Sequence, residues 1–333
     1  MASLLDRKLL FVTGKGGVGK TTMSCALALL AAREGLRTVV VEVGEQSRLP
    51  ALFGVKAPSP GAVAELQDGI SSISIDPDRA LLEWLQALGG RVPGRVLASS
   101  STFSYFAAAA PGAKELVSMV KIWQLTRGAH KRRGGYDLVI VDAPATGHAL
   151  GMLGSPGTFG AIARIGPIAG QTRQLLELLK DEDRTGYVGV ALGTEMAVTE
   201  AIELQEGLEG ELERQLSTVI VNNLLPRRFS AREIEQIEAL ADGDGSDGAA
   251  APGPAGKRSA QSAGGARSSR AELRHAALHA ARAVHDRARF QHNQLARLRR
   301  REFDVIAVPF VWETRLELEG IAKIADRLAA NLE

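Results

Sequence analysis

The chain holds a single cysteine, Cys25, among 333 residues, which excludes an intramolecular disulfide and a CxxC zinc ligand pair. Charge of one sign is not in excess: 40 Lys and Arg stand against 38 Asp and Glu, a net charge of +2, so bulk electrostatics gives no reason to expect nucleic acid or an anionic surface as partner. No uninterrupted apolar run reaches the roughly 20 residues of a membrane-spanning helix. The opening "MASLLDRKLLFV" lacks a signal peptide's layout of basic, apolar and small-residue regions. These absences predict a cytoplasmic protein with neither zinc nor nucleic acid bound; the length allows one large α/β domain or two small ones, and the pattern below is read as a single domain over 1–333. The length is ample for a buried core.

What is present alternates. Near-continuous apolar, β-branched runs occur at 9–14, 37–43, 71–76, 136–144, 187–193, 217–223 and 303–310. Strands buried on both faces of a parallel sheet read this way. Helical patterns lie between them at 20–34, 78–88, 113–131, 199–215, 231–241 and 316–332. Strand followed by helix, repeated, predicts a doubly wound, mostly parallel sheet with helices on both faces. Residues 241–270, rich in Gly, Ala, Ser and Pro, break the pattern and are read as a disordered insertion. An arginine-rich helix is expected at 271–301; its His275 and His279 are four residues apart, but no further ligand stands at a matching spacing, so a solvated face is preferred to a metal site.

The stretch "FVTGKGGVGKTT", residues 11–22, matches G-x-x-x-x-G-K-[ST] between a strand and a helix. Gly14, Gly16, Gly17 and Gly19 let backbone N–H groups, with those of Lys15 and Val18, converge on phosphate oxygens. The helix N-terminus, carrying Thr21 and Thr22, adds partial positive charge at the same point. Lys20 is placed to bridge the β- and γ-phosphates of a nucleotide and Thr21 to offer its hydroxyl to Mg²⁺. A second apolar strand ends in Asp142, a carboxylate suited to the same Mg²⁺.

The early lysine in "KGGVGKT" resembles the deviant phosphate loop of the SIMIBI nucleotidases, in which that lysine reaches the partner's nucleotide across a dimer interface. "DAPATGH" (142–148) resembles the second switch of one branch, the arsenite-pump and tail-anchored-protein-targeting ATPases. That resemblance, which extends over nearly the whole chain outside the insertion, implies a P-loop ATPase fold and ATP hydrolysis with Mg²⁺. It also implies a homodimer, or a pair with a related subunit, serving an unknown client protein or membrane partner. It places Lys15 as a catalytic residue acting in trans, Thr21 and Asp142 on the metal, and Pro144, Thr146, Gly147 and His148 in a γ-phosphate-sensing switch. It also puts Asn222 at the adenine edge, with Pro309 and Phe310 packing on the base.

Departures accompany the likeness. Gly44 occupies the place of the family's water-positioning aspartate, leaving Glu42 and Glu45 as candidate catalytic substitutes. The alternative is a slow or non-hydrolytic ATP-binding switch that recruits a partner. The family's CxxC clamp and arsenite-binding cysteines are absent; Cys25 is read as a small core residue. Residues 149–186 fit either a groove or lid at the dimer face or a packed helix pair. A chromosome-partitioning role is disfavoured by "DAPATGH", and GTP by the lack of an NKxD element.

Overall fold

The computed structural model describes residues 4–44, 47–59, 61–89, 112–128, 135–162, 167–242, 260–313 and 317–332. Strand β1 (Leu9–Thr13) leads through the phosphate loop into helix α1 (Lys20–Arg33), followed by β2 (Thr38–Val43) and a short α2 (Leu49–Leu52). Next come β3 (Val63–Gln67), β4 (Ile70–Ile75), α3 (Pro77–Gly89), α4 (Ala113–Thr126) and β5 (Leu138–Asp142). The chain continues through α5 (Thr146–Ile162), α6 (Pro167–Lys180), β6 (Thr185–Leu192), α7 (Glu195–Leu212) and β7 (Thr218–Leu224). It closes with α8 (Ala231–Asp242), α9 (Ala260–Leu298), β8 (Asp304–Pro309) and α10 (Leu318–Leu332).

The strands form one eight-stranded sheet in the order β3-β4-β2-β5-β1-β6-β7-β8. Every pairing is parallel except β3 with β4. This is the doubly wound, mostly parallel sheet that the alternating pattern predicts. β1 is central, buried at every residue, and flanked by β5 and β6. Chain order reverses around it, so the crevice beyond its carboxyl end is the place such sheets bind ligands.

The antiparallel edge strand β3 is not anticipated by the apolar runs. In "VAELQ", Ala64 and Leu66 are buried while Glu65 and Gln67 are exposed, since one face meets solvent. Asp68 and Gly69, with Gly69 at φ +75°, make the two-residue hairpin turn to β4. Helix α1 is buried from Met23 to Ala31 because it packs on the sheet and is covered by α10. Cys25 lies fully inside this layer, and burial drives its thiol pKa far up, as a small core residue requires.

The described residues before β6 include the helices α5 and α6, which pack on each other and with α4 and α7. The long helix begins at Ala260 rather than at residue 271, so the low-complexity segment is shorter than its composition implies. Residues 243–259 of that segment lie outside the described residues. His275 and His279 are exposed, whereas His292 turns its Nε2 to the carbonyl of Leu225 at 3.2 Å. Among the described residues no helix is long and apolar enough to cross a membrane.

Candidate functional site

The phosphate loop leaves β1 at Gly14 and enters α1 at Lys20. Two glycines are obligatory for steric reasons. Gly14 has φ +149°, and a Cβ there would collide with the carbonyl oxygen of Val190 on β6. Gly19, the N-cap of α1, has φ +98°, and its Cβ would run into the Asn222 amide. At Gly16 and Gly17 a Cβ would meet nothing within 4 Å; both line a cavity of about 830 Å³ at the carboxyl edge of the sheet. Val18 is buried, pointing away from that cavity, while Thr22 is half-buried in the first turn of α1.

Lys20 folds back over the loop, its Nζ donating to the carbonyls of Gly14 and Lys15, each at 3.1 Å. Burial lowers its pKa, and the carboxylates of Asp142 and Glu200 oppose that shift. Thr21 donates its hydroxyl to Asp142 Oδ2 at 2.6 Å, and Ser24, one turn on, reaches Oδ1 at 3.4 Å. The Asp142 pKa is pushed up to about 6, first by desolvation, with neighbouring Glu42 adding to it. A carboxylate that is expensive to ionise in the empty protein suits a divalent cation, whose charge reverses the balance. The donor set of one hydroxyl and one carboxylate fits Mg²⁺, which retains waters and phosphate oxygens for the rest of its shell.

Glu42 faces Asp142 across the β2–β5 pairing. Its carboxylate is buried and accepts from Ser47 Oγ at 2.8 Å, Arg48 N at 2.8 Å and Leu49 N at 3.3 Å. It therefore organises the loop after β2. Gly44, at φ +150°, is held by its own backbone: its N–H donates to Ile75 O at 2.9 Å and its carbonyl accepts from Ser74 Oγ at 2.7 Å. Both Glu42 and Gly44 line the cavity, and so does Arg48. Glu45 lies outside the described residues.

Beyond Asp142 the chain turns at Pro144, whose carbonyl accepts from Thr13 Oγ1 at 3.0 Å. Thr146 opens α5 with a buried hydroxyl that has no hydrogen-bond partner among the described residues. Gly147 and His148 face solvent. Lys15 points away from its own loop toward α7, with its Nζ 3.5 Å from Glu200 Oε2. Asn222 is buried behind the loop, donating Nδ2 to Val18 O at 2.9 Å and accepting from Asn223 N at 2.8 Å. In this position it braces the loop from below.

Pro309 and Phe310 lie exposed at the end of β8, where Phe310 N donates to Leu224 O at 3.0 Å. The Phe310 ring meets Trp312 edge-on at 4.7 Å, and the Arg228 guanidinium lies 5.1 Å over Trp312. Neither Asn222 nor this ledge lines the phosphate-side cavity. Arg48, Ser24, Glu200, Arg228 and Trp312 are missed by sequence reasoning. Of these, only Trp312, just after the Val-Pro-Phe segment, carried a usable signal, as an aromatic beside a proposed base-packing loop.

The profile of the anion-transporting ATPases matches residues 7–177. The ATPase BagA of Mycobacterium tuberculosis (strain ATCC 25618 / H37Rv) is 30% identical over 247 residues, 71% of each chain. An arsenical pump-driving ATPase of Acidiphilium multivorum is 28% identical over 235 residues, covering 65% of this chain and 39% of its own length. The ATPase GET3 of Mycosarcoma maydis is 29% identical over 53% of this chain and 54% of its own.

Proposed function

The chain belongs to the anion-transporting ATPase family, and on that premise we propose that it is a Mg²⁺-dependent ATP hydrolase working as a nucleotide-gated pair of chains. The observation that carries this reading is the meeting of Lys20, Thr21 and Asp142 in one cavity at the carboxyl end of β1. Lys20 and the α1 N-terminus hold the phosphates. Thr21 and Asp142 hold Mg²⁺, which when bound neutralises charge on the transferring phosphoryl group. Asn222 and Glu42 keep the two loops in place behind the nucleotide. At the far end of the site, Phe310 and Pro309 offer the base an apolar edge.

Lys15 makes no contact with its own loop through its side chain; its ammonium is parked against Glu200. That supports a role outside its own active site, delivered to a partner chain's nucleotide. The orphaned Thr146 hydroxyl at the start of α5 supports a switch that completes its hydrogen bonding in another nucleotide state. The client is a protein or membrane partner. Thiol ligation of arsenite is not its basis, because the sole cysteine is buried.

A second reading rests on the first switch. Gly44 has no side chain, and the Glu42 carboxylate is committed to three donors of its own loop. Among the described residues the first switch then offers no free carboxylate for water activation, and on this reading the protein acts as a slow ATP-binding switch. Steady-state hydrolysis over a protein concentration series, with light scattering in parallel, separates the two. Specific activity rising with ATP-induced pairing supports the hydrolase. Tight ATP binding with no turnover supports the switch.

A further inference from the structure

We propose that Arg48 contacts the terminal phosphate of the bound nucleotide and lets the site tell ATP from ADP. This deepens the ATPase reading and rests on it. Arg48 lines the same cavity as Lys20, Thr21 and Asp142 although it belongs to the loop after β2, two strands from the phosphate loop. Its backbone is fixed there. The Arg48 N–H donates to the buried Glu42 carboxylate at 2.8 Å, beside donors from Ser47 and Leu49, so the loop is pinned on both sides of the arginine. Its side chain is exposed, and among the described residues the guanidinium has neither an ion pair nor a hydrogen bond.

The sheet order gives the nucleotide a direction. The carboxyl edge runs from β8 and β7, with their aromatic ledge, through β6 and the phosphate loop on β1, to Asp142 on β5 and Arg48 after β2. A base at the β7–β8 end puts the phosphate chain across β1 and its last phosphate toward β5 and β2. Lys20 and the helix N-terminus serve the phosphates near β1, which ATP and ADP share. Arg48 stands at the end where only ATP has a group. Two carboxylates, Glu42 and Asp142, already line this end. A triphosphate therefore adds like charge there that one lysine and one divalent cation do not fully offset. A guanidinium supplies the missing positive charge, and its planar fork matches two phosphate oxygens.

The test is calorimetric binding of ADP and of a non-hydrolysable ATP analogue, both with Mg²⁺, to wild type, Arg48→Ala, Arg48→Gln and Arg48→Lys. The exposed position predicts unchanged thermal midpoints, and Arg48→Gln retains the stem should the truncation disturb the loop. Loss of one charge-assisted contact predicts analogue binding weakened about 10- to 100-fold in Ala and Gln, with ADP binding within about twofold of wild type. Lys should recover part of the loss. Equal weakening of both nucleotides, or no change in either, overturns the assignment while leaving the ATP site standing. A wild-type chain that binds neither nucleotide overturns the ATP-site reading and Arg48's role with it.

Discussion

Glu200 is the group whose replacement tests the Lys15 proposal most directly. The Lys15–Glu200 pair is 3.5 Å long, with side chains 37% and 23% exposed. A pair so open to water is worth about 0.2–1 kcal/mol. If each Lys15 must leave its Glu200 to reach the partner's nucleotide, closing a symmetric pair of chains breaks two such contacts, about 0.4–2 kcal/mol in all. Glu200→Gln removes that cost while keeping the side-chain shape. The protein concentration giving half-maximal specific ATPase activity should therefore fall by about 2- to 30-fold. Turnover at saturating protein should stay the same, because Glu200 is not asked to touch the reacting groups. Moderate salt screens an exposed pair, so wild type should shift in the same direction as salt rises and the variant should respond less. The assay is steady-state phosphate release over a protein concentration series, with light scattering on the same samples. An unchanged half-activation concentration would refute the resting-pair account. A variant as inactive at high concentration as one lacking Lys15 would place Glu200 in the chemistry instead.

Lys15→Ala should bind ATP within about threefold of wild type yet lose most turnover; a comparable loss of binding would make Lys15 a contact to its own nucleotide. Asp142→Asn tests the desolvated carboxylate. Its folded pKa of about 6 lies above the ordinary 3.8, so the empty folded chain holds the proton more tightly than the unfolded one. The penalty is absent below about pH 4, grows as pH rises toward 6 and is complete above it. The nucleotide-free variant should then be more stable at pH 7.5 by about 1–3 kcal/mol, with the gap closing by pH 4, while Mg²⁺-dependent ATP binding collapses. Thermal melts across that pH range, with and without Mg-ATP, decide it; a variant less stable than wild type at pH 7.5 contradicts the desolvation account. Asn222→Ala strips the brace from Val18 O, and the loosened loop should bind both ATP and ADP about 5- to 30-fold more weakly, read by calorimetry. A loss confined to adenine nucleotides, with GTP binding unmoved, would restore Asn222 to the base edge.

The phosphate loop was legible because its chemistry is local. A phosphate cradle is made by backbone N–H groups from consecutive residues, so glycine spacing between a strand and a helix is enough to suggest one. Asp142 was legible for a similar reason, as a carboxylate ending a buried apolar strand. The parallel sheet showed itself in uninterrupted β-branched runs, whereas β3 stayed hidden because an edge strand with one wet face is half polar. Its Asp68-Gly69 turn was the signal available for it.

Other assignments depended on which strand ends the fold sets side by side. Asn222 follows an apolar run as a base-reading residue would; what its spacing does not announce is that β7, lying beside β6, also brings its amide against Gly19. Glu42 is a strand-end carboxylate like Asp142, yet it also accepts three hydrogen bonds from the returning loop, which no spacing along the chain announces. Lys15 and Glu200, and Arg48 and Lys20, are brought near one another by helices and loops from separate strands; no spacing along the chain encodes such meetings. Sequence alone therefore determined most of the strands and helices, their alternating order and the glycine-rich turn between β1 and α1, since each is set by contacts between neighbours along the backbone. The partners of the charged side chains were decided only by the tertiary structure, because an ion pair or a buried carboxylate answers to distance in space and access to water.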